Sequence, residues 1–400
     1  RPNPLLSFPR GHGRGRLPQG AMMASPLLLA YMRLQEMRES NSRFERVVSS
    51  TAMNCAAVCW IAKNLCSSRC GVEKAQSAMI FTVPEPTYSI EEPPNAPRRF
   101  RYVQGAAGCD SIGCQLGAKA AEVHYATTDE GIRLPLVWLR GKAAPSTSPG
   151  AASSSSPLVL LYFHGDGNDI GSLMATYYEL CRELGVDVVA AEYRGFGAAE
   201  GRPTVRSLNA DALVVYDYLL SQGVPPSRIV VYGHCLGSGP ACRLAASRPL
   251  GGFVLHAPPL SALKVVEQPD GCCRPSFCFC CCDALRNREL APKVACPGFV
   301  VHGRGDDVVP CAQGEWLQQA IPEEHRWPGF FPEESRHQEI CKAEKTAYFR
   351  HLRCFLQAVS ERGTAQKAEE QEDDGGRGRG GARAGEDAVG SRWAQPRLLS

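Results

Sequence analysis

The sequence lacks a strong charge of either sign and any long uninterrupted hydrophobic run. Among its 400 residues, 44 Lys and Arg oppose 41 Asp and Glu, for a formal net charge of +3. So small an excess does not indicate a nucleic-acid-binding surface. No apolar run reaches the roughly 18 residues needed to cross a bilayer; the stretch from Ala21 to Met32 is short and contains Ser25 and Pro26. With 44% hydrophobic residues, the chain can still bury one substantial core.

Cysteine, by contrast, is abundant: the chain has 19. In a secreted protein this number would suggest disulfides, with one thiol left over. The cysteines are concentrated in two clusters, Cys55 to Cys70 and Cys272 to Cys282, with the others scattered. This distribution favours free thiols in a reducing compartment that faces the cytosol.

Composition divides the chain into five segments. Apart from a short helical pattern around Leu27 to Arg46, residues 1–52 show little periodicity and are interpreted as unstructured. They are Arg-rich, which leaves open a targeting segment or an extension upstream of a start at Met53. Residues 53–82 form a Cys-bearing apolar segment, and the Pro- and Gly-rich residues 83–118 are predicted to be irregular. Residues 119–360 form the main domain, and residues 361–400 are a charged Gly/Arg-rich tail that is predicted to be disordered.

Within residues 119–360, short apolar runs alternate with helical patterns. This alternation predicts a mostly parallel sheet covered by helices on both faces, an α/β fold. The predicted strands are Ala121–Ala126, Ile132–Leu139, Leu158–Phe163, Val186–Glu192, Ile229–Tyr232, Gly252–His256 and Gly298–His302, and the predicted helices are Ser172–Leu184, Ser207–Gln222 and Lys342–Ser360.

The most informative motif is Gly-His-Cys-Leu-Gly at 233–237, between the strand that ends at Tyr232 and a predicted helix. A strand, a tight turn with glycines two before and two after a nucleophile, and then a helix form the nucleophile elbow of an α/β-hydrolase. The glycines Gly233 and Gly237 are required because the turn is strained and crowded. The usual nucleophile is Ser, whereas here it is Cys235.

An elbow nucleophile needs an acid and a histidine, which in this fold follow it in that order. Asp306 follows the strand that ends near His302, at the sheet edge where α/β proteins bind ligands. We predict Asp306 as the acid, with Asp307 as a close rival. His337, just before the last helix, is the predicted base, and its rivals are His325 and His351.

The oxyanion hole should use two backbone amides. One is that of Leu236, directly after the nucleophile, and the other comes from a loop after an early strand. The loop His-Gly-Asp-Gly-Asn at 164–168 fits this position, which makes Asp166 the second predicted donor. Cys235 then has two interpretations. It is either a working thiolate stabilised by an imidazolium and the helix N-terminus, or the nucleophile of a weakened or inactive enzyme.

Several further motifs lie between residues 83 and 306, downstream of a Cys-bearing segment. With the two already described, they are Gly-His-Cys-Leu-Gly at 233–237, His-Gly-Asp-Gly-Asn at 164–168, Tyr-Arg-Gly-Phe-Gly at 193–197, Glu-Gly-Arg-Pro at 200–203, Leu-His-Ala-Pro at 255–258, His-Gly-Arg-Gly-Asp at 302–306 and Val-Pro-Glu-Pro-Thr-Tyr-Ser at 83–89. Together these motifs resemble the α/β-hydrolase domain-containing protein 17 family over roughly residues 53 to 358. The resemblance implies membrane-associated protein depalmitoylases with palmitoylated N-terminal cysteines. The chain departs from the family at Cys235, where the family has Ser, at Glu334–Arg336, where it has glycines, and in the dense cysteines of 272–282.

The cysteine clusters allow more than one interpretation. Cys55, Cys59, Cys66 and Cys70 have helical spacing but lack the flanking pattern of a zinc module, so no metal is predicted. S-acylation of this segment is favoured over inert thiols, and several chains would be needed for firm anchoring. In the second cluster, Phe277 and Phe279 suggest either membrane contact or a wall of an acyl pocket.

The predicted function is hydrolysis of acyl thioesters, with S-palmitoyl groups on membrane-associated proteins as substrates. Cys235, His337 and Asp306 would form the triad, without a cofactor. The predicted location is the cytoplasmic face of the plasma or endosomal membrane, held through acylated N-terminal cysteines. Two alternatives remain: a soluble esterase or peptidase of the same fold, and a hydrolase-like binding protein without catalytic activity.

Overall fold

A computed structural model describes residues 43–67, 71–106, 109, 111–141, 157–267 and 270–376. Its strands are β1 (Tyr88–Glu91), β2 (Arg99–Tyr102), β3 (Glu122–Thr127), β4 (Arg133–Leu139), β5 (Val159–Phe163), β6 (Asp187–Ala191), β7 (Ile229–His234), β8 (Gly252–His256) and β9 (Gly298–Val301). Its α-helices are α1 (Arg43–Ser67), α2 (Val72–Ile80), α3 (Ile112–Ala120), α4 (Met174–Leu184), α5 (Val205–Ser221), α6 (Ser238–Ser247), α7 (Ala262–Val266), α8 (Pro275–Cys278), α9 (Asn287–Leu290), α10 (Cys311–Ala320), α11 (Ile340–Ala343) and α12 (Lys345–Gly376).

Seven strands form one sheet in the order β3-β4-β6-β5-β7-β8-β9. The pairings β3–β4 and β4–β6 are antiparallel, and those from β6 to β9 are parallel. The central strands β5, β6, β7 and β8 are buried along their whole length. This is the burial expected of parallel strands that helices cover on both faces. The predicted fold class is confirmed, and every strand predicted within residues 119–360 is present.

Alternate residues of each strand enter separate hydrophobic cores on the two faces of the sheet. In β5, Leu161 and Phe163 join the core that includes α5 and α6. Leu160 and Tyr162 join the core that includes α4 and α12. The period of two in strand side chains therefore determines which helices pack on which face.

The order of the central strands creates the site for chemistry. The chain passes from β5 through α4 to β6 on one side, and then through α5 to β7 on the other side of β5. The strand order therefore reverses at β5, and ligands bind beyond the carboxyl ends of the strands at such a switch point. Phe163 at the end of β5 pairs with Gly233 near the end of β7, so the loops after these strands lie side by side.

The segment before the main domain is more ordered than the sequence indicated. Helix α1 begins at Arg43, inside the stretch 1–52 that was predicted to be unstructured, and continues past Met53. Met53, Ala57 and Ile61 are buried, and this spacing of four residues makes one helix face apolar. The rest of that stretch, residues 1–42, lies outside the described residues.

Residues 83–118 were predicted to be irregular, but they contain β1, β2 and α3. Tyr88 stacks on Phe100 with ring centroids 4.7 Å apart, and the Tyr88 hydroxyl donates to buried Glu192 at 2.9 Å. The side chain of Ser111 caps α3 by accepting from the amide of Cys114. Long-range packing of aromatic side chains thus orders a segment whose composition indicated loops.

The last helix also extends beyond its predicted end at Ser360. Helix α12 continues to Gly376, into the stretch 361–400 that was predicted to be disordered. Residues 364–374 are rich in Ala, Glu, Gln and Lys, which have high helix propensity. Residues 377–400 lie outside the described residues. Within the described part of the chain, no helix is both long and apolar enough to cross a membrane.

Candidate active site

Cys235 lies at the tip of a sharp turn between β7 and α6. Its φ angle is +48°, in the left-handed region that costs a non-glycine residue free energy. The side chain is half-buried and lines a cavity together with Leu236. A strained backbone that presents a thiol at the end of a central strand is the geometry that the elbow motif predicts.

The two glycines of the motif are required by close backbone contacts. A Cβ atom on Gly237 would lie 2.1 Å from the carbonyl oxygen of Phe163, and one on Gly233 would lie 2.4 Å from the carbonyl oxygen of Gly237. Both distances are far below any real Cβ contact. Glycine therefore lets α6 begin directly against the end of β5.

The structure brings Asp306 and His337 together. The Nδ1 atom of His337 lies 2.8 Å from Oδ2 of Asp306. The other carboxylate oxygen, Oδ1, accepts from the amides of Val308 at 2.9 Å and Val309 at 2.8 Å. Burial alone would raise the pKa of Asp306, but the charge on His337 and the hydrogen bonds to the carboxylate hold this pKa well below its usual range. Asp306 is therefore an ionised acceptor, and His337 donates through Nδ1.

Cys235 is the other neighbour that acts on the His337 imidazole. Burial would lower the pKa of His337, yet the neighbouring Cys235 and Asp306 raise it well above its ordinary value. The order of contacts is thus Cys235, His337, Asp306, with the imidazole between a nucleophile and a carboxylate. This arrangement can move a proton between the thiol and a bound substrate.

The rival residues lie elsewhere. Asp307 is half-buried, with 42% of its side chain exposed, and faces Arg336 at 3.8 Å. His325 ends a short 3₁₀ helix, and the ring of His351 stacks on Phe330 with centroids 4.6 Å apart. The geometry therefore selects Asp306 and His337 from the pairs that the sequence left open.

The two predicted oxyanion donors line one cavity with the nucleophile. Asp166 and Leu236 both border the cavity that Cys235 lines. The Asp166 side chain points away to the amide of Thr82 and accepts from it at 2.6 Å, and burial raises the pKa of Asp166. A Cβ on Gly165 would lie 3.6 Å from the Cβ of Cys235, which places this loop directly beside the nucleophile.

The cavity opens to solvent, has a volume of about 110 Å³ and has a mostly apolar lining. Its walls come from the end of α2, from α7 and from the turn before α9. Its lining residues are Met79, Ile80, Asp166, Cys235, Leu236, Pro259, Ala262, Leu263, Val265, Val266, Leu285 and Val308. An apolar cleft that ends at a nucleophile suits a substrate with a hydrocarbon chain.

A buried ion pair supports the loop beside Cys235, and sequence reasoning missed it. His164 is fully buried; its Nδ1 lies 2.9 Å from the carbonyl oxygen of Gly165, and its Nε2 lies 2.9 Å from Glu192. Both partners only accept, so both ring nitrogens carry protons. Burial lowers the pKa of His164, but the bonded and charged Glu192 raises it above its ordinary value. The only sequence signal was the position of each residue at a strand end.

Two further residues hold the site and were not singled out in the sequence. His302 Nε2 lies 3.0 Å from Oδ2 of Asp306, as a second partner of the carboxylate. Asn287 donates to the Ser238 hydroxyl at 2.8 Å, and that hydroxyl donates to the carbonyl oxygen of Cys235 at 2.6 Å. Asn287 lies 52 residues after the nucleophile, so no local pattern could link the two.

The predicted acylation cysteines lie on or near α1. Cys55 is half-buried and Cys59 is exposed. Cys66 lies near the end of α1, and Cys70 lies outside the described residues. Among the described residues, no group of three or more His, Cys, Asp or Glu is arranged to hold a metal ion.

The strand order, the elbow and the order of acid and histidine define an α/β hydrolase. No family model matches the chain. The chain is 28% identical to α/β hydrolase domain-containing protein aho-3 of Caenorhabditis elegans, over 70% of this chain and 77% of that protein. It is 26% identical to α/β hydrolase domain-containing protein 17C of Xenopus laevis, over 66% of this chain and 83% of that protein. It is also 26% identical to human α/β hydrolase domain-containing protein 17B, over 60% of this chain and 77% of that protein. These curated homologues confirm the resemblance noted in the sequence.

Solved structures similar to the chain include two esterases. One is esterase Pf2001 of Pyrococcus furiosus, with a TM-score of 0.44 and 17% identity over 60% of this chain and 92% of the other. The second is a thermophilic esterase of Thermogutta terrifontis, with a TM-score of 0.43 and 19% identity over 60% of this chain and 99% of the other.

Proposed function

We propose that this α/β hydrolase cleaves S-acyl thioesters, and that its substrates are S-palmitoyl groups on membrane-associated proteins. The observation that carries the proposal is the position of Cys235, which lies beside the His337–Asp306 pair and lines an apolar cavity. The cavity suits an acyl chain, and the adjacent thiol suits attack on a thioester carbonyl.

In the first step, Sγ of Cys235 attacks the carbonyl carbon of the substrate while His337 holds the thiol proton. The oxyanion that forms takes hydrogen bonds from the amides of Asp166 and Leu236. The carbon–sulfur bond to the substrate breaks, and His337 gives its proton to the departing thiolate. One thioester replaces another, so this step is nearly balanced in free energy.

In the second step, His337 takes a proton from water, and the resulting hydroxide attacks the carbonyl carbon of the acyl-enzyme. The bond between Sγ and the acyl carbon breaks, the fatty acid leaves, and the proton returns to Cys235. Asp306 accepts from Nδ1 throughout and holds the imidazole with Nε2 toward the reacting atoms.

We further propose that the protein acts at the cytoplasmic face of the plasma or endosomal membrane, where S-acylated proteins are its partners. The exposed thiol of Cys59 and the half-exposed thiol of Cys55 are available for acylation on α1. Two chains hold a protein to a bilayer far more firmly than one.

The test is intact-mass spectrometry of the full chain mixed with a palmitoyl-thioester peptide. Wild type is compared with Cys235→Ala, Cys235→Ser and the control Cys354→Ala, which removes another half-buried thiol. We expect a transient acyl adduct on wild type and on Cys354→Ala that maps to Cys235. Cys235→Ala should form neither this adduct nor free palmitate.

Two results would contradict the proposal. If wild type forms no adduct and no product while Cys235→Ser hydrolyses the substrate, the natural chain is a silenced hydrolase that acts as a binding protein. If wild type cleaves the matching oxygen ester much faster than the thioester, the protein is an esterase.

A further inference from the structure

Helix α1 and the cysteine-rich residues 271–282 form one continuous surface, although about 200 residues separate them. We call it the cysteine surface. Its members with half- or fully exposed side chains are Cys55, Cys59, Cys272, Cys273, Phe277, Cys278, Cys280 and Cys281.

Several contacts join the two parts. The Asn54 side chain donates to the carbonyl oxygen of Cys272 at 2.9 Å, and the amide of Cys272 donates to the Thr51 hydroxyl at 3.3 Å. A Cβ on Gly271 would lie 2.5 Å from the carbonyl oxygen of Ser50, so the backbones are in close contact. The two cysteine clusters of the sequence are therefore neighbours in space.

Two of the acidic residues at the base of the loop, Glu267 and Asp283, point inward, whereas Asp270 is exposed. Glu267 is buried and accepts from the amide of Ser276 at 3.1 Å and from Lys264. Asp283 accepts from the Ser261 hydroxyl at 2.6 Å and from the amide of Leu263 at 3.0 Å. These carboxylates fix the loop to α7 and leave its outer side without their charge.

The outer side is apolar and weakly cationic. Residues 271–282 and residues 52–65 contain no acidic residue, and their charged residues are Arg274 and Lys63. Phe277 is 84% exposed, the highest exposure among the large hydrophobic residues that the structure describes. An exposed aromatic ring among thiols, with few charged groups around it, suits contact with a lipid bilayer.

We propose that the cysteine surface docks on a lipid bilayer, with Phe277 inserted among the acyl chains and with Arg274 and Lys63 near the phosphates. The surface is continuous with the candidate active site: Val266 and Leu285, on the two sides of the loop, line the cavity that Cys235 also lines. Docking would thus hold the cavity wall against the membrane. The proposal does not depend on thioesterase activity.

The test is flotation of the full chain with phosphatidylcholine vesicles, with and without phosphatidylserine. The protein is expressed in bacteria, and its intact mass is measured to show that it carries no S-acyl group. A reductant keeps the thiols free. Wild type should float with the vesicles. Phe277→Glu should lower the partition coefficient between vesicles and water about tenfold or more, because burying a Phe side chain is worth about that factor.

The matched control is Ile112→Glu, because Ile112 is 75% exposed on α3, outside the cysteine surface. It should float like wild type. Hydrolysis of a water-soluble thioester separates this test from the proposed function: Phe277→Glu should retain the wild-type rate, whatever that rate is. Phe277→Ser is a milder second variant, to be used if Phe277→Glu does not fold.

Three results would overturn the proposal: wild type that does not float, equal flotation of wild type and both Phe277 variants, and equal losses in Phe277→Glu and Ile112→Glu. A wild-type dimer that Phe277→Glu dissociates, without vesicle binding, would assign the surface to a second copy of the chain.

Discussion

At the scale of single residues, the candidate site depends on how each acidic or basic group is held. Asp306 accepts from two ring nitrogens and two backbone amides, so its charge is fixed in place. Asp307, its neighbour in sequence, is only half-buried and faces Arg336. The two aspartates therefore allow a carboxylate that contacts the imidazole of His337 to be compared with a neighbouring one that faces Arg336.

Asp306→Asn should lower kcat on a soluble thioester by about a thousandfold or more, because the amide cannot hold the imidazole in the same proton arrangement. Asp307→Asn should leave kcat within about twofold of wild type, because it changes only a half-exposed charge that faces Arg336 and not the imidazole. Steady-state hydrolysis rates measure both. Equal losses in the two variants would contradict the assignment of Asp306.

The pair of His164 and Glu192 is a second set of fixed charges. Glu192→Gln should lower the free energy of unfolding by about 3 kcal/mol at pH 6, since it leaves a buried imidazolium without its counter-charge. The pKa of His164 is higher in the folded protein than in the unfolded chain, where it lies near 6.5. The resulting stabilisation is complete at pH values below the unfolded pKa, and it is lost as the pH rises through the folded pKa.

The deficit of Glu192→Gln should therefore shrink as pH rises above the folded pKa of His164. Urea denaturation at several pH values measures it. Glu122→Gln, which alters an exposed pair with Arg140, is the control and should change little. A deficit that does not vary with pH would show that His164 is neutral in the folded protein.

At the scale of elements, the pairing of β5 with β7 brings two loops together. The loop after β5 carries Gly165 and Asp166, and the turn after β7 carries Cys235. Since the strands are parallel and in register, both loops leave the same edge of the sheet. The start of α6 then packs against the end of β5 with no room for a side chain at Gly237.

Gly237→Ala should destabilise the fold by about 3 kcal/mol, because the new methyl group meets the backbone of Phe163 and the strand or the turn must move. The matched control is Gly113→Ala in α3, where the methyl group would lie 3.2 Å from the Ala175 side chain. It should be nearly neutral, since Ala favours helix. Chemical denaturation measures both, and a stable Gly237→Ala would show that the elbow can relax.

At the scale of the whole molecule, buried neutral histidines link the site to the rest of the sheet edge. His256, at the end of β8, lies with its ring centroid 4.6 Å from that of His234, and its Nδ1 lies 2.7 Å from the Tyr232 hydroxyl. Burial lowers the pKa of His234 to about 3, and that of His256 well below its ordinary value. Both rings stay neutral while the protein is folded.

These histidines predict how the whole fold responds to acid. Below pH 6.5 the unfolded chain binds a proton at His256 that the folded protein does not bind. The free energy of unfolding therefore decreases by up to about 1.4 kcal/mol for each unit by which the pH is lowered. His256→Gln should make this fall shallower, although the variant is less stable at pH 7. Urea denaturation between pH 7 and 4.5 measures the slopes. Parallel curves for variant and wild type would contradict a neutral buried His256.

Much of this fold could be predicted from local patterns. Short apolar runs gave the central strands β5 to β8, because a parallel strand that helices cover on both faces must be largely apolar. The motif at 233–237 gave the elbow, because a strand that turns sharply into a helix needs glycine on both sides of its tip. Residues 83–118 could not be predicted, because their order depends on Tyr88 meeting Phe100 and Glu192.

The sequence by itself determined the fold class, the position of Cys235 and a short set of acids and histidines, because each follows from neighbours along the chain. Only the tertiary structure selected Asp306 over Asp307, joined His164 to Glu192 and placed the two cysteine clusters on one surface. These contacts join residues far apart in sequence, and the packing of strands and helices decides which of them meet.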